Sequence, residues 1–275
     1  MNSDKLKTIV EEWFPPFFLR WYRVHVHPYG FFGSYDSWET VRQKTTGYDS
    51  EVILNKVKNA MLQVKEGQAV YERDSVLFDK TQYSWPLLAG LLRIAALNKN
   101  RLSVLDFGGS LGSSYYQNKV FLSDLAELRW SVVDQEAFVR CGKEYFTTSN
   151  LKFYYDIESC LNYENPDVII LSGVLQYLKQ PYQFIESMLE GQFEHIIVDR
   201  TSFLLTDKDR LTVQKVSPKI YNASYPAWFF CINKFKQIFR PKYDLLIEFE
   251  ALGKSNLPKS VFKGFIFSRK KSGSL

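Results

Sequence analysis

Four aspartates in this chain close short apolar runs: Asp106, Asp134, Asp156 and Asp199; a further run ends in Ser172-Gly173. An open parallel sheet binds ligands in the crevice outside the carboxyl ends of its strands, so these five positions converge on one crevice if the runs are strands. The first run continues as Val104-Leu105-Asp106-Phe107-Gly108-Gly109-Ser110-Leu111-Gly112. Glycines at 108, 109 and 112 let the chain take positive φ and let a ligand approach main-chain atoms. Asp134, ending the second run, can accept hydrogen bonds from a ribose diol. A G-x-G-x-x-G dinucleotide fingerprint would need glycine at 107, where Phe107 stands, which argues against a nicotinamide cofactor. No Gly-Lys-Ser/Thr follows, so there is no P-loop. Any one of the aspartates equally suits a helix N-cap or a turn; the series is more informative than its members.

The elements that must carry these residues follow from periodicity. Leu102–Phe107, Trp130–Asp134, Leu151–Asp156, Asp167–Ser172 and His195–Asp199 are strand-length apolar runs, separated by amphipathic stretches such as 135–146 and 181–189. Pro86 suits a helix start, and Leu87–Leu97 is apolar nearly all round. The alternation predicts βαβ units and a mainly parallel sheet. Tyr243–Glu250 and Val261–Ser268 read as an antiparallel pair that closes it. Residues 1–80 read differently, as an N-terminal helical cap on a domain spanning 81–275. There, Trp13–Val26 predicts a helix packed on the domain, Ser50–Val64 has helical spacing, and Tyr29–Tyr35, rich in glycine and aromatics, reads as turns or a loop.

The glycine turn resembles motif I (D-x-G-x-G-x-G) of the class I S-adenosylmethionine-dependent methyltransferases: Asp106, Gly108 and Gly112 match, Ser110 replaces the middle glycine and Gly109 sits one place early. The resemblance implies a Rossmann-like α/β fold with a mainly parallel seven-stranded sheet, an antiparallel closing hairpin, and S-adenosyl-L-methionine as cofactor. It implies a ribose contact at Asp134, an adenine contact at Asp156-Ile157, and a methionine-side wall at Ser172-Gly173, with Gln176 standing where many relatives carry His. The acid at 134 by itself does not separate this cofactor from NAD. Over nearly the whole chain, Gly33–Trp38, Thr46–Asp49, Asp199-Arg200-Thr201, Asp209–Gln214, Ile220-Tyr221 and Ala223–Trp228 look like a poorly characterised bacterial methyltransferase family associated with surface-polysaccharide gene sets. That implies a small or glycan-linked acceptor and O-methylation in cell-envelope polysaccharide metabolism.

The segment 200–230 lies between the fifth run and the closing pair and reads as an acceptor-side insertion covering the crevice. Arg200 can hold a carboxylate or phosphate by two parallel bonds. Tyr221, Tyr225 and Trp228 can stack on a sugar face, or pack as core. Gln176 joins them on the acceptor side. A hydroxyl acceptor needs a base, and Asp199, ending a central strand, is the candidate. His195 begins that strand and falls at the opposite edge, as a structural residue. His25 and His27 reach the crevice only if the cap folds over it.

Composition bounds the rest. The 275 residues are 45% hydrophobic, 24% charged and 16% aromatic, with net charge +5, an ordinary globular balance that argues against nucleic acid as partner. Three scattered cysteines and three histidines argue against a disulfide framework or a metal centre and for a reduced, cytoplasmic compartment. No run is long and apolar enough to span a bilayer, while the early aromatic stretch permits peripheral membrane contact. Two other functions fit the same fold: an NAD(P)-dependent sugar oxidoreductase, and a non-catalytic cofactor-binding module of an envelope-assembly complex. The oligomeric state is not written in the sequence.

Overall fold

The computed structural model describes residues 29–47, 50–73, 75–191, 193–218 and 220–271. The expected helix over Trp13–Val26, His25, His27 and the Tyr48-Asp49 part of the family motif lie outside the described residues.

The five apolar runs are strands. They are β4 (Arg101–Phe107), β5 (Glu127–Val133), β6 (Leu151–Tyr154), β7 (Val168–Ser172) and β8 (His195–Leu204). They pair in parallel in the order β6-β5-β4-β7-β8. β12 (Ser260–Arg269) runs antiparallel to β8, and β11 (Tyr243–Glu250) antiparallel to β12. This is the expected seven-strand Rossmann-like arrangement of a class I methyltransferase fold. Adjacent residues on each central strand face opposite layers, as the two-residue period requires. Val104, Ile170 and Ile197 enter one core with α3 (Trp85–Leu97), α4 (Ser113–Leu122) and α5 (Glu136–Tyr145). Leu105, Ile169 and Ile196 enter the other, with α7 (Pro181–Glu190) and α8 (Ile232–Phe239). Between β6 and β7 lies the short helix α6 (Ile157–Leu161).

Three further strands extend this sheet to ten. β7 accompanies β8 only from His195 to Asp199. Beyond that point the place beside β8 is taken by β10 (Ser224–Cys231), whose Phe230 and Cys231 pair with Phe203 and Leu204. β9 (Arg210–Lys215) lies antiparallel to β10, and β1 (Gly30–Tyr35) antiparallel to β9. The joint between the two parts is Asp199-Arg200. Against β12, Val198 pairs with Phe265 but Thr201 with Lys263, so two residues of β8 oppose one of β12. Arg200 takes φ 50° there. An extra residue of this kind bends a strand and re-aims its side chains.

The Tyr29–Tyr35 stretch is thus mainly a strand and not a loop. Its glycines mark an irregular register between Phe32 and Tyr35 on β1. Its aromatics suit a half-buried pleated surface, with Phe31 set edge-on against Phe229 at 4.8 Å. The described part of residues 1–80 is accordingly mixed. It also holds α1 (Trp38–Gln43), α2 (Ser50–Lys65) and the small hairpin β2 (Tyr71–Arg73)–β3 (Val76–Phe78).

Candidate functional site

A cavity of about 600 Å³ opens at the carboxyl ends of β4, β5 and β7 and at the Asp199-Arg200 joint of β8, which runs on to Leu204 instead of ending at Asp199; it is walled on one side by α2 and β2 and on the other by the β1–β9–β10 extension. The β4–α4 turn forms its floor. Gly108 takes φ +74°, and its N–H donates to Val133 O at 2.8 Å, clamping the turn to β5. At Gly109 a β-carbon would lie 2.6 Å from the Asp106 carboxyl, so only glycine leaves that acid its place. Ser110, in the position of the family's middle glycine, adopts φ +56°, and its N–H reaches Asp134 Oδ2 at 2.8 Å. The turn keeps a left-handed residue there although its side chain differs. Gly112 begins α4 in the left-handed region and packs against Leu151, away from the cavity lining.

The acids on this side are deeply placed. Asp106, 1% exposed, accepts from Trp130 Nε1 at 3.2 Å. Burial pushes its carboxyl up to about 7; the charge of Asp134 adds to this, while Trp130 and Ser114 oppose it. Asp134 accepts from the amides of Ser110 and Gln135; burial raises it and those two bonds counteract. A third carboxylate, Glu72 of β2, joins them. It is 2% exposed, accepting from Ser113 Oγ at 2.7 Å and from Ser75 N–H at 2.6 Å. Sequence reasoning missed Glu72, because a three-residue strand gives no periodicity and its burial depends on α4 packing over it. Arg73 lines the cavity beside it.

Ser172 and Gly173 line the cavity at the end of β7, where Gly173 N–H donates to Asp199 O at 2.9 Å. Asp156 and Ile157 are not brought there. Asp156 caps α6, its Oδ1 accepting from Ser159 N–H at 2.6 Å, and Ile157 packs on the second core. Phe138 of α5 and the backbone neighbour Gln135 line the cavity near Asp134 instead.

On the other half stand Asp199, Arg200, Gln176, Tyr221 and Tyr225, all lining the cavity. Burial raises the Asp199 carboxyl; Arg200, by charge and through its amide, and the hydroxyls of Ser84 and Ser172 oppose the rise. Gln176, 3% exposed, donates from Nε2 to Arg200 O at 3.1 Å, holding the bent segment of β8. Tyr177 meets Tyr225 edge-on at 5.3 Å and donates to Gln214 Oε1 at 2.9 Å, and the hydroxyls of Tyr221 and Tyr225 lie 3.2 Å apart. Trp228 is not in this wall. It stacks on Trp38 with centroids 6.4 Å apart and donates to Leu178 O. His195 lies at the far end of β8, where burial lowers it.

Two cations on this half were not foreseen: Arg42 of α1 and Lys254 of the β11–β12 connection, both lining the cavity. They arrive through pairing that is remote in sequence. α1 packs on β9 and β10, and Asn256 of the connection bonds Phe31 of β1. The cavity thus carries Glu72, Asp106 and Asp134, with Arg73, at the turn, and Asp199 with Arg200 on the other half, where Arg42 and Lys254 also line it. Among the described residues no cluster of His, Cys, Asp and Glu is disposed to hold a metal, and no helix is long and apolar enough to cross a membrane.

No protein-family model matches the chain, and no curated protein matches it. Similar solved structures include the N-terminal domain of EvdMO1 in the presence of SAH and D-fucose, with 12% identity, TM-score 0.45, and 82% of this chain covered against 98% of that one. Another is magnesium protoporphyrin IX methyltransferase (ChlM) from Synechocystis PCC 6803 with bound SAM, at 14% identity, TM-score 0.44, and coverage of 96% and 97%. A third is the N-methyltransferase NodS from Bradyrhizobium japonicum WM9 in complex with S-adenosyl-L-homocysteine, at 14% identity, TM-score 0.42, and coverage of 79% and 100%.

Proposed function

We propose that this protein is an S-adenosylmethionine-dependent methyltransferase that methylates oxygen on a small or glycan-linked acceptor. The observation that carries this reading is the group of carboxylates, the buried Glu72 and Asp106 and the half-buried Asp134, around a glycine turn at one end of the cavity. Burial first, and repulsion by the Asp134 charge after it, push Asp106 toward the neutral form. A ligand bearing a sulfonium and an ammonium relieves that repulsion. A dinucleotide, whose pyrophosphate adds negative charge, increases it, which weighs against the oxidoreductase reading. The left-handed Ser110 preserves the turn despite the altered glycine pattern, which weakens the case for a degenerate, non-catalytic pocket.

Asp134 would hold the ribose hydroxyls with the lone pairs left free by its two amide bonds. The turn of Gly108 and Gly109 would offer main chain to the cofactor, with Asp106 and Glu72 balancing its positive charges. Ser172 and Gly173 would border its methionine part. When bound, the cofactor would supply an electrophilic methyl group, its sulfur keeping the C–S electron pair as the acceptor oxygen is methylated, and Asp199 would take the proton of that hydroxyl. Asp199 suits that task because burial raises its proton affinity. Arg200 and the tyrosines orient the acceptor, and positioning supplies much of the rate. The resemblance to a family associated with surface-polysaccharide genes supports a cell-envelope glycan as the acceptor, and the free cysteines Cys141, Cys160 and Cys231 support a cytoplasmic site of action.

Calorimetric titration with S-adenosylmethionine, S-adenosylhomocysteine and NAD tests the reading. The sulfonium compound is expected to bind most tightly. NAD binding at equal or higher affinity overturns the proposal.

A further inference from the structure

Two oxygens at the acceptor end meet no donor in hydrogen-bond geometry among the described residues, Gln176 Oε1 and Asp199 Oδ1, although the Arg200 amide and the Ser84 and Ser172 hydroxyls stand near the Asp199 carboxyl as a whole. Both are shielded from solvent, and their residues, 3% and 2% exposed, border the same cavity. The orientation of the Gln176 amide is fixed by its surroundings, since its nitrogen is the atom that must donate to Arg200 O. The oxygen is therefore left for another donor. The two groups are held in one frame, because Arg200, the residue Gln176 clasps, directly follows Asp199 in the bent segment of β8. Leaving a buried acceptor unsatisfied is costly, and a ligand carrying donors removes that cost.

A lone hydroxyl brings one hydrogen and satisfies one of these oxygens. Two hydrogens come either from a primary amine or from adjacent hydroxyls. An amine carries positive charge at neutral pH, and Arg200 already sets a positive charge beside Asp199. Resting on the methyltransferase reading above, we infer that the acceptor presents a vicinal diol. One hydroxyl gives its proton to Asp199 as its oxygen is methylated; its neighbour, unmethylated, donates to Gln176 Oε1. Gln176 is then a specificity residue that reads the hydroxyl beside the reacting one. Tyr177, Tyr221 and Tyr225 provide the faces and hydroxyls of a wall fitted to a polyhydroxylated ring.

The test uses the full chain saturated with S-adenosylhomocysteine and three probes, cis-1,2-cyclohexanediol, cyclohexanol and 2-aminocyclohexanol, with affinities measured by ligand-observed NMR. The diol is expected to bind about tenfold more tightly than the mono-alcohol. The variant Gln176→Met should bring the two to parity while S-adenosylhomocysteine affinity stays unchanged. No binding of the diol, no preference for it in the wild-type chain, or a preference surviving in Gln176→Met overturns the inference. A preference for the amino alcohol also overturns it and assigns an amine acceptor. Failure to bind S-adenosylhomocysteine at all overturns the functional reading instead, so the two failures are distinct.

Discussion

The amide of Ser110 donates to Asp134 Oδ2 over 2.8 Å, tying the turn after β4 to the acid that ends β5. The main chain on one side of the proposed cofactor site thereby fixes the carboxylate on the other, so Asp134 has a role in the turn besides the binding role proposed for it. Asp134→Ala should weaken S-adenosylmethionine binding by about 1–3 kcal/mol. Asp134→Asn, which keeps an acceptor for the Ser110 amide, should lose less. Calorimetry on both variants checks the order, and equal affinity to wild type in a folded Asp134→Ala protein removes the ribose assignment.

Asp106 makes stability depend on pH. Its carboxyl rises from 3.8 to about 7 on folding, so between those values the folded chain binds the extra proton. Stability from this group is full below about pH 4 and is lost as pH rises through 7, by on the order of 4 kcal/mol at about 1.4 kcal/mol per unit. A cationic ligand favours the ionised form, so S-adenosylmethionine should bind with proton release near pH 6–7. Calorimetry in buffers of different ionisation enthalpy should show that release in the wild type and its absence in Asp106→Asn.

Gly109→Ala places a β-carbon 2.6 Å from the Asp106 carboxyl. Crowding of this kind costs about 1–3 kcal/mol. Denaturant melts should show that loss in Gly109→Ala and its partial recovery in the double variant with Asp106→Ala, where the clashing group is gone. Additive losses would show that the two positions do not touch.

Asp156→Ala separates a capping role from a binding one. Asp156 holds the first turn of α6 through Ser159 and does not line the cavity. The substitution should lower stability by about 0.5–2 kcal/mol and leave S-adenosylmethionine affinity as in the wild type. A large drop in affinity with unchanged stability would restore it to the adenine site.

The parallel sheet was legible because each central strand is buried on both faces and reads as an unbroken apolar run. Val104-Leu105 and Ile169-Ile170 show this, each pair splitting between the two cores. The polar residues at or beside the ends of β4, β5 and β7 were legible for the same reason, whereas Asp199 lies within β8, which runs on to Leu204. Asp156 shows where that signal is ambiguous: a carboxylate just before a helix serves its amides as readily as a ligand. Tyr29–Tyr35 misled because glycine signals an irregular strand as well as a turn, and only the pairing of β1 with β9, far along the chain, decides between them. Glu72, Arg42 and Lys254 carried no local sign. Each reaches the cavity through contacts between distant segments, which no short window of sequence contains.

β8 is one bent rod shared by two workshops: Val198 sits beside β7, Phe203 beside β10, and Arg200 at the elbow between them. A lineage could remodel β1, β9 and β10 to accept new molecules without disturbing the turn after β4. Conversely, lengthening or shortening the rod by a single amino acid near the elbow would swing Asp199 out of line with both partners at once.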